Sequence, residues 1–316
     1  MSETKPVLKT LDHVIIAVRD LGAACAQYER LLGLSASWTA HHPEIGTANT
    51  LFRLDNTYLE LLAPDGEGPL GEMLQDWIDV RGEGLLGLAF GTEDAHTCHA
   101  AFAERGLRPG DVDEGQGQDV DTRAIRQWRR ITLPIDRTRG VLLFAIEHLS
   151  PVEALPRAAT VGDEAASVYA LDHAVVQTRD AEAARHLYGD ELGLRLALDK
   201  TFADWGTRLM FFRVGGVTIE VASMLQPAGD GEGAAAAGAM AGATDADASG
   251  PTPDEDRLWG LSYRVGNADA ARARIAAAGF DVSEVRPGRR PNTRVFSVRN
   301  KTCGIPTLML EVTPAQ

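Results

Sequence analysis

Cysteine is scarce: Cys25, Cys98 and Cys303 are the only three in 316 residues, odd in number and far apart. That excludes a disulfide framework and a thiolate metal site, and makes a reducing compartment, the cytoplasm, the expected location. Positive charge is scarce too. Lys and Arg number 31 against 45 Asp and Glu, a net charge of −14, so no basic surplus exists to neutralise phosphates and nucleic acid is not an expected partner. No uninterrupted apolar run approaches the ~20 residues of a membrane-spanning helix. The opening "MSETKPVLKT" is polar and lacks a signal-peptide core. A chain of this length, 44% hydrophobic and 24% charged, reads as globular with about two domains.

What is present is a repetition. "LDHVIIAVRD" at residues 11–20 returns as "LDHAVVQTRD" at 171–180. The same offset of 160 carries Tyr28 onto Tyr188, Leu32-Gly33-Leu34 onto Leu192-Gly193-Leu194, Phe52-Arg53 onto Phe212-Arg213 and Glu60 onto Glu220. One offset held through charged, aromatic and glycine positions predicts a duplicated domain.

Each copy opens with a β-branched run fit for a buried strand, then apolar residues at helical spacing closed by a glycine. Three strand-like runs follow, "LSASWTA", "TANTLFRLD" and "TYLELLA", with a turn at Asp55-Asn56 that becomes Gly215-Gly216 in the second copy. A weaker βαβββ echo comes after each clear one, from "GLLGLAFGTEDAHTCHAAFAERGL" and from "LWGLSYRVGNADAARARIAAAGF". The expectation is an α+β chain of four βαβββ modules in two pairs, residues 8–150 and 168–316, joined by a linker at 151–167. Residues 226–257, rich in Ala, Gly and Asp, read as a surface loop of low complexity.

Two residue types stand out in these strands. His13 shares a strand face with Ile15 and Ala17, and Glu60 one with Tyr58 and Leu62. A carboxylate in a buried strand must be paired, protonated or metal-bound. His173 and Glu220 repeat the pair at the same separation of 47 residues (60 − 13 and 220 − 173). The plainer readings are a hydrogen-bonded core histidine, and a Glu paired across the turn with Arg53 or Arg213. Asn49, Arg53 and Trp128 are candidate substrate contacts, and His41, His42, Arg126 and Arg129 could also line a pocket. His96 and His99 read as solvent-facing helix residues.

The paired modules, opening with "LDHVIIAV" and closing with "YLELL", resemble the vicinal oxygen chelate superfamily of glyoxalases, bleomycin-resistance proteins and extradiol dioxygenases. With "HHPEIGTANTLFRLDNTYLELLAP" and "GVLLFAIEH", the N-terminal half is most similar to glyoxalase-like domains of unassigned substrate. The resemblance implies cups of mixed sheet, each holding a divalent ion (Zn, Ni, Mn, Fe or Mg). Its implied ligands are His13, Glu60 and Glu147 in one half and His173, Glu220 and Glu311 in the other. Gly87 and Gly260 stand where a second histidine would be, which counts against ring cleavage with O₂. The implied activity is that of a lyase or isomerase on a small organic substrate with adjacent oxygens, Glu60 and Glu147 being the candidate catalytic residues. The alternative is a non-catalytic binder of the bleomycin-resistance type, and a homodimer is left open.

Overall fold

The computed structural model describes residues 6–203, 206–224 and 255–313. Most of the 226–257 segment therefore lies outside the described residues. Among those described, no helix is long and apolar enough to cross a membrane.

The first half contains β1 (Thr10–Ala17), α1 (Leu21–Leu32), β2 (Trp38–His42), β3 (Thr47–Arg53), β4 (Tyr58–Pro64), α2 (Pro69–Arg81), β5 (Gly84–Gly91), α3 (Ala95–Glu104), β6 (Val112–Gln118), β7 (Ile125–Thr132) and β8 (Leu142–His148). The second contains β9 (Val168–Thr178), α4 (Ala181–Arg185), β10 (Arg195–Phe202), β11 (Thr207–Val214), β12 (Val217–Met224), β13 (Arg257–Val265), α5 (Ala268–Ala277), β14 (Arg286–Pro287), β15 (Thr293–Val298) and β16 (Thr307–Val312). Each half builds one eight-stranded sheet, in the orders β2-β3-β4-β1-β5-β8-β7-β6 and β10-β11-β12-β9-β13-β16-β15-β14. The two orders are the same topology, as the duplication predicts. Two βαβββ modules meet back to back in each sheet, β1 antiparallel to β5 and β9 antiparallel to β13.

Each module helix starts the same way. Asp20, Asp94, Asp180 and Asn267 accept hydrogen bonds from the backbone N–H three residues on, at 2.9, 3.0, 3.0 and 2.9 Å, satisfying a donor that the first turn leaves open. The helix α2 was not legible as part of the module pattern. Pro69 at its start and Gly82 just past its end are nonetheless ordinary helix punctuation. Its buried Leu74 and Ile78 pack against Ile15, Ala17, Leu62, Ala89, Phe144 and Ile146, the inner face of the first sheet. The first sheet also curls further than an open cup. Val120 N–H bonds the Thr39 carbonyl at 2.9 Å and Thr39 N–H bonds an Asp119 carboxylate oxygen at 2.9 Å, so the segment after β6 meets β2 and the sheet nearly closes.

The outer faces carry the main core. Tyr28, Leu31, Phe52, Phe90 and Phe102 of the first half share one apolar cluster with Tyr188, Phe212, Tyr263 and Phe296 of the second. Polar ties cross the same boundary: Arg274 donates to the Leu31 carbonyl at 2.8 Å and Arg105 to the Glu191 carbonyl at 3.2 Å. Phe52→Ala is expected to cost about 3–5 kcal/mol, the usual loss for a buried ring. Because the core is shared, urea titrations followed in either half should shift together. A shift confined to one half would contradict a common core.

Candidate functional site

The inner face of the first sheet gathers the polar residues. In β1 the pairing with β5 slips between Leu11 and His13, so Asp12 is an extra residue in its strand. Such a bulge breaks strict alternation, and the side chains of both Asp12 and His13 join one network. His13 Nδ1 lies 2.7 Å from Asp12 Oδ1, and His148 Nε2 lies 2.8 Å from Asp12 Oδ2. On the far edge of the ring, His13 Nε2 is 3.3 Å from Glu60 Oε2, while Asn49 Nδ2 donates to Glu60 Oε1 at 2.7 Å. The result is a chain: His148, Asp12, His13, Glu60, Asn49. The imidazole is clamped by its faces as well, stacked on Tyr58 at 4.5 Å between centroids and met edge-on by Phe144 at 5.5 Å.

The electrostatics follow from this enclosure. Burial opposes a charged His13, but the hydrogen bonds and charges of Asp12 and Glu60 outweigh it and push the imidazole up to about 9. Burial likewise opposes ionisation of Asp12 and Glu60. Bonds from His13 and His148 to the first, and from His13 and Asn49 to the second, hold both carboxyls below their ordinary range.

The second sheet repeats part of the arrangement. Asp172 is again the extra residue at a pairing slip, and His173 Nδ1 lies 3.0 Å from Asp172 Oδ2. His173 and Glu220 stand farther apart, at 3.7 Å. Arg264, on β13, takes the place of His148 and bonds Asp172 at 2.7 Å, with Arg290 at 3.9 Å.

Glu147 and Glu311 do not join either cluster. Glu147 accepts from Ala95 N–H at 3.0 Å and faces Arg129 at 3.6 Å; Glu311 accepts from Ala268 N–H at 2.9 Å and faces Arg294 at 3.3 Å. Each carboxylate sits at the N-terminus of a helix on the outer face, where the helix dipole and an open N–H favour it. The strand pairing explains the misplacement. His13 pairs with Tyr58 on β4, two residues before Glu60; Gly87 pairs with Leu142 on β8, two residues before Phe144. Phe144, not Glu147, therefore occupies the counterpart of Glu60. By the same register Gly260 leads to Leu308.

Arg53 is also elsewhere: it donates to the Val152 carbonyl at 2.7 Å and to that of Leu155, pinning the connection between the halves. Arg129 faces outward to Glu114 at 3.1 Å, and His41 to Asp65 at 2.6 Å. Asn49 and Trp128 do face inward. The Trp128 indole lies over Gly115 and Gly117, where a Cβ on Gly115 would sit 2.5 Å from the indole nitrogen. Asp12 and Tyr58 were given no role by the sequence, and His148, expected on the face opposite the site because it adjoins Glu147, is the one that turns inward while Glu147 turns out. The duplicated "DH" pair was a signal for Asp12; only the bulge shows that both residues serve one network.

The donor set does not fit the metal centre the resemblance implies. An ion bound at His13 Nε2 beside Glu60 lies across the ring from Asp12 and His148, leaving one imidazole and one carboxylate, with only the neutral amide of Asn49 beside them. The remaining positions hold Gly87 and Phe144 in one sheet, Gly260 and Leu308 in the other. A Cβ at Gly87 would come within 2.8 Å of the Leu142 carbonyl oxygen, and one at Gly260 within 2.9 Å of the Pro306 carbonyl oxygen. The close approach of the strands thus leaves a side chain there no room. Among the described residues, no group of three or more His, Cys, Asp or Glu is placed to hold an ion.

Two outcomes follow. An imidazole raised from 6.5 to about 9 adds stability that is complete below pH 6.5 and is lost as pH rises through about 9. The melting temperature of the native protein should fall across that window more steeply than that of His13→Gln; parallel curves would mean a neutral His13. Glu147→Gln should cost about 1 kcal/mol in chemical denaturation, as loss of a helix-terminal acceptor does, and leave ligand binding in the cup unchanged.

Known proteins place this architecture. The glyoxalase-like domain matches residues 11–168, and the glyoxalase/bleomycin resistance protein/dioxygenase superfamily matches residues 172–296. Ethylmalonyl-CoA/methylmalonyl-CoA epimerase of Cereibacter sphaeroides is 36% identical over 99 residues, 31% of this chain and 72% of that protein. The mitochondrial methylmalonyl-CoA epimerase of Homo sapiens is 42% identical over 69 residues, 22% of this chain and 39% of that protein, so the chain spans well under half of it. A mutant 4-hydroxymandelate synthase from Streptomyces coelicolor superposes with a TM-score of 0.65, covering 98% of this chain and 94% of that one; at 14% identity the likeness is one of fold. The chain therefore belongs to the glyoxalase/bleomycin resistance/dioxygenase, or vicinal oxygen chelate, superfamily, with two such domains in tandem.

Proposed function

We propose that the N-terminal cup is a proton-transfer site acting on a small carbonyl compound, in the manner of an isomerase or epimerase. The observation that carries this reading is the chain from His148 through Asp12 and His13 to Glu60, all on one inner face. Asp12 accepts from the Nδ1 side and so orients the imidazole with Nε2 toward Glu60. Glu60, ionised and held by Asn49, is the base for a proton on the carbon next to a carbonyl. A substrate oxygen that takes the His13 Nε2–H relieves Glu60 of that bond. Its basicity then rises at the moment the carbon acid is in place, while the imidazolium faces the oxygen on which charge develops. The returned proton can reach the other face of the same carbon, or its neighbour.

No step in this reading needs a third or fourth protein ligand. The named epimerase relatives act on coenzyme A thioesters, which makes 2-substituted thioesters and their free acids a rational first panel. In D₂O the protein should introduce deuterium at the carbon next to the carbonyl of at least one panel member, read by mass spectrometry. Glu60→Gln should slow exchange about 100-fold or more, within the usual range for loss of a general base. Ligand binding with no exchange in any member would favour the bleomycin-type binder instead.

A further inference from the structure

Arg126 is a buried cation on the inner face of the first sheet. On β7 it alternates with Trp128, and both point inward. Its guanidinium carbon lies 5.5 Å from the centre of the Trp38 ring and 5.3 Å from that of Tyr58, and the residue is only 7% exposed. Aromatic faces attract a cation, and apart from the phenol oxygen of Tyr58, which the guanidinium also meets, they give its forked donors no acceptor. Arg129 and Arg130, next on the strand, face Glu114 and Asp113. Among the described residues no carboxylate is within ion-pair distance of Arg126.

The acids that could have served it are committed elsewhere. Asp12 is held by His13 and His148, Glu60 by His13 and Asn49, and Asp119 by Thr39 N–H and by the N–H and hydroxyl of Thr122. A buried guanidinium without a counter-ion is costly, and its forked donors match a carboxylate in shape. Tyr58 bridges the two parts of the cup, with Arg126 over its ring and His13 stacked on it. One buried polar atom nearby has no partner: the side-chain carbonyl of Asn49, whose amide already serves Glu60, has no donor.

We propose that Arg126 recognises the carboxylate of a small organic acid and delivers its reacting carbon to Glu60. This rests on the proton-transfer reading above, but binding tests it separately. The acid's carboxylate accepts the paired N–H groups of Arg126, and a hydroxyl or enol O–H on the same molecule donates to the Asn49 oxygen. Trp38 and Tyr58 hold the guanidinium flat and keep water from its faces.

The test is isothermal titration of the full chain with lactate, 2-oxobutyrate, methylmalonate and succinate, each beside its uncharged amide. At least one acid should bind and its amide should not. Arg126→Gln should weaken that acid about 100-fold, and Arg126→Lys, which keeps the charge but loses the fork, about tenfold. Circular dichroism of each variant reports folding; should Arg126→Gln not fold, the lysine variant decides. Glu60→Gln should still bind the acid while losing exchange. Equal binding of acid and amide, unchanged affinity in the arginine variants, or no binding by any of the four acids would overturn the assignment. Arg126-dependent binding without exchange would leave it standing and remove the proton-transfer reading instead.

Discussion

A single extra residue in the first strand of each domain sets the rest of the site. Consecutive side chains of a regular strand face opposite ways, so an aspartate beside a histidine would ordinarily be sent to the other side of the sheet. The bulges at Asp12 and Asp172 cancel that rule, and the carboxylate reaches the imidazole of its own neighbour. Once it does, one edge of the ring is committed and the other is aimed at the glutamate on the adjoining parallel strand. Burial then makes the charges interdependent: two flanking carboxylates favour the cationic form of His13, and that cation, with His148 and Asn49, favours their ionised forms.

The two domains show what duplication preserved and what it let go. Topology, helix caps, bulge and the His–Glu pair recur. The residue that steadies the aspartate does not: His148 comes from the last strand of the first sheet, Arg264 from the central β13 of the second. The first cup is nearly closed by the segment between β6 and β7 and is plugged by α2, so its His13 side chain is 4% exposed against 19% for His173. A tighter enclosure strengthens every charge interaction inside it, which is why the N-terminal cup is the better candidate for chemistry.

Glu147 and Glu311 carry a related lesson. The family resemblance implied them as ligands, and their recurrence at matching positions added weight to that reading. Both instead hold the first turn of a helix against the sheet, a structural need present in each domain. Recurrence between duplicated halves is therefore evidence of a shared role, without saying which role. The pairing of β8 with β5 separates the two explanations, because it puts Phe144 opposite the position that Glu60 occupies in the other module.

The chain's own order of residues was enough to reveal the duplication, the βαβββ order, the glycine that closes the first helix and the shared face of Tyr58 and Glu60. All of these depend on local periodicity and on one constant offset. The meeting of His13 with Glu60 followed from that pattern once the first and last strands of a module were taken as neighbours. Tertiary structure alone decided the rest: the bulge at Asp12, the inward turn of His148, the closure over Arg126, the outward turn of Glu147 and the capture of Arg53 by the interdomain connection. Each of these is set by the register between strands distant in sequence, or by how far a sheet curls, and neither quantity is written in the spacing of residues along one strand.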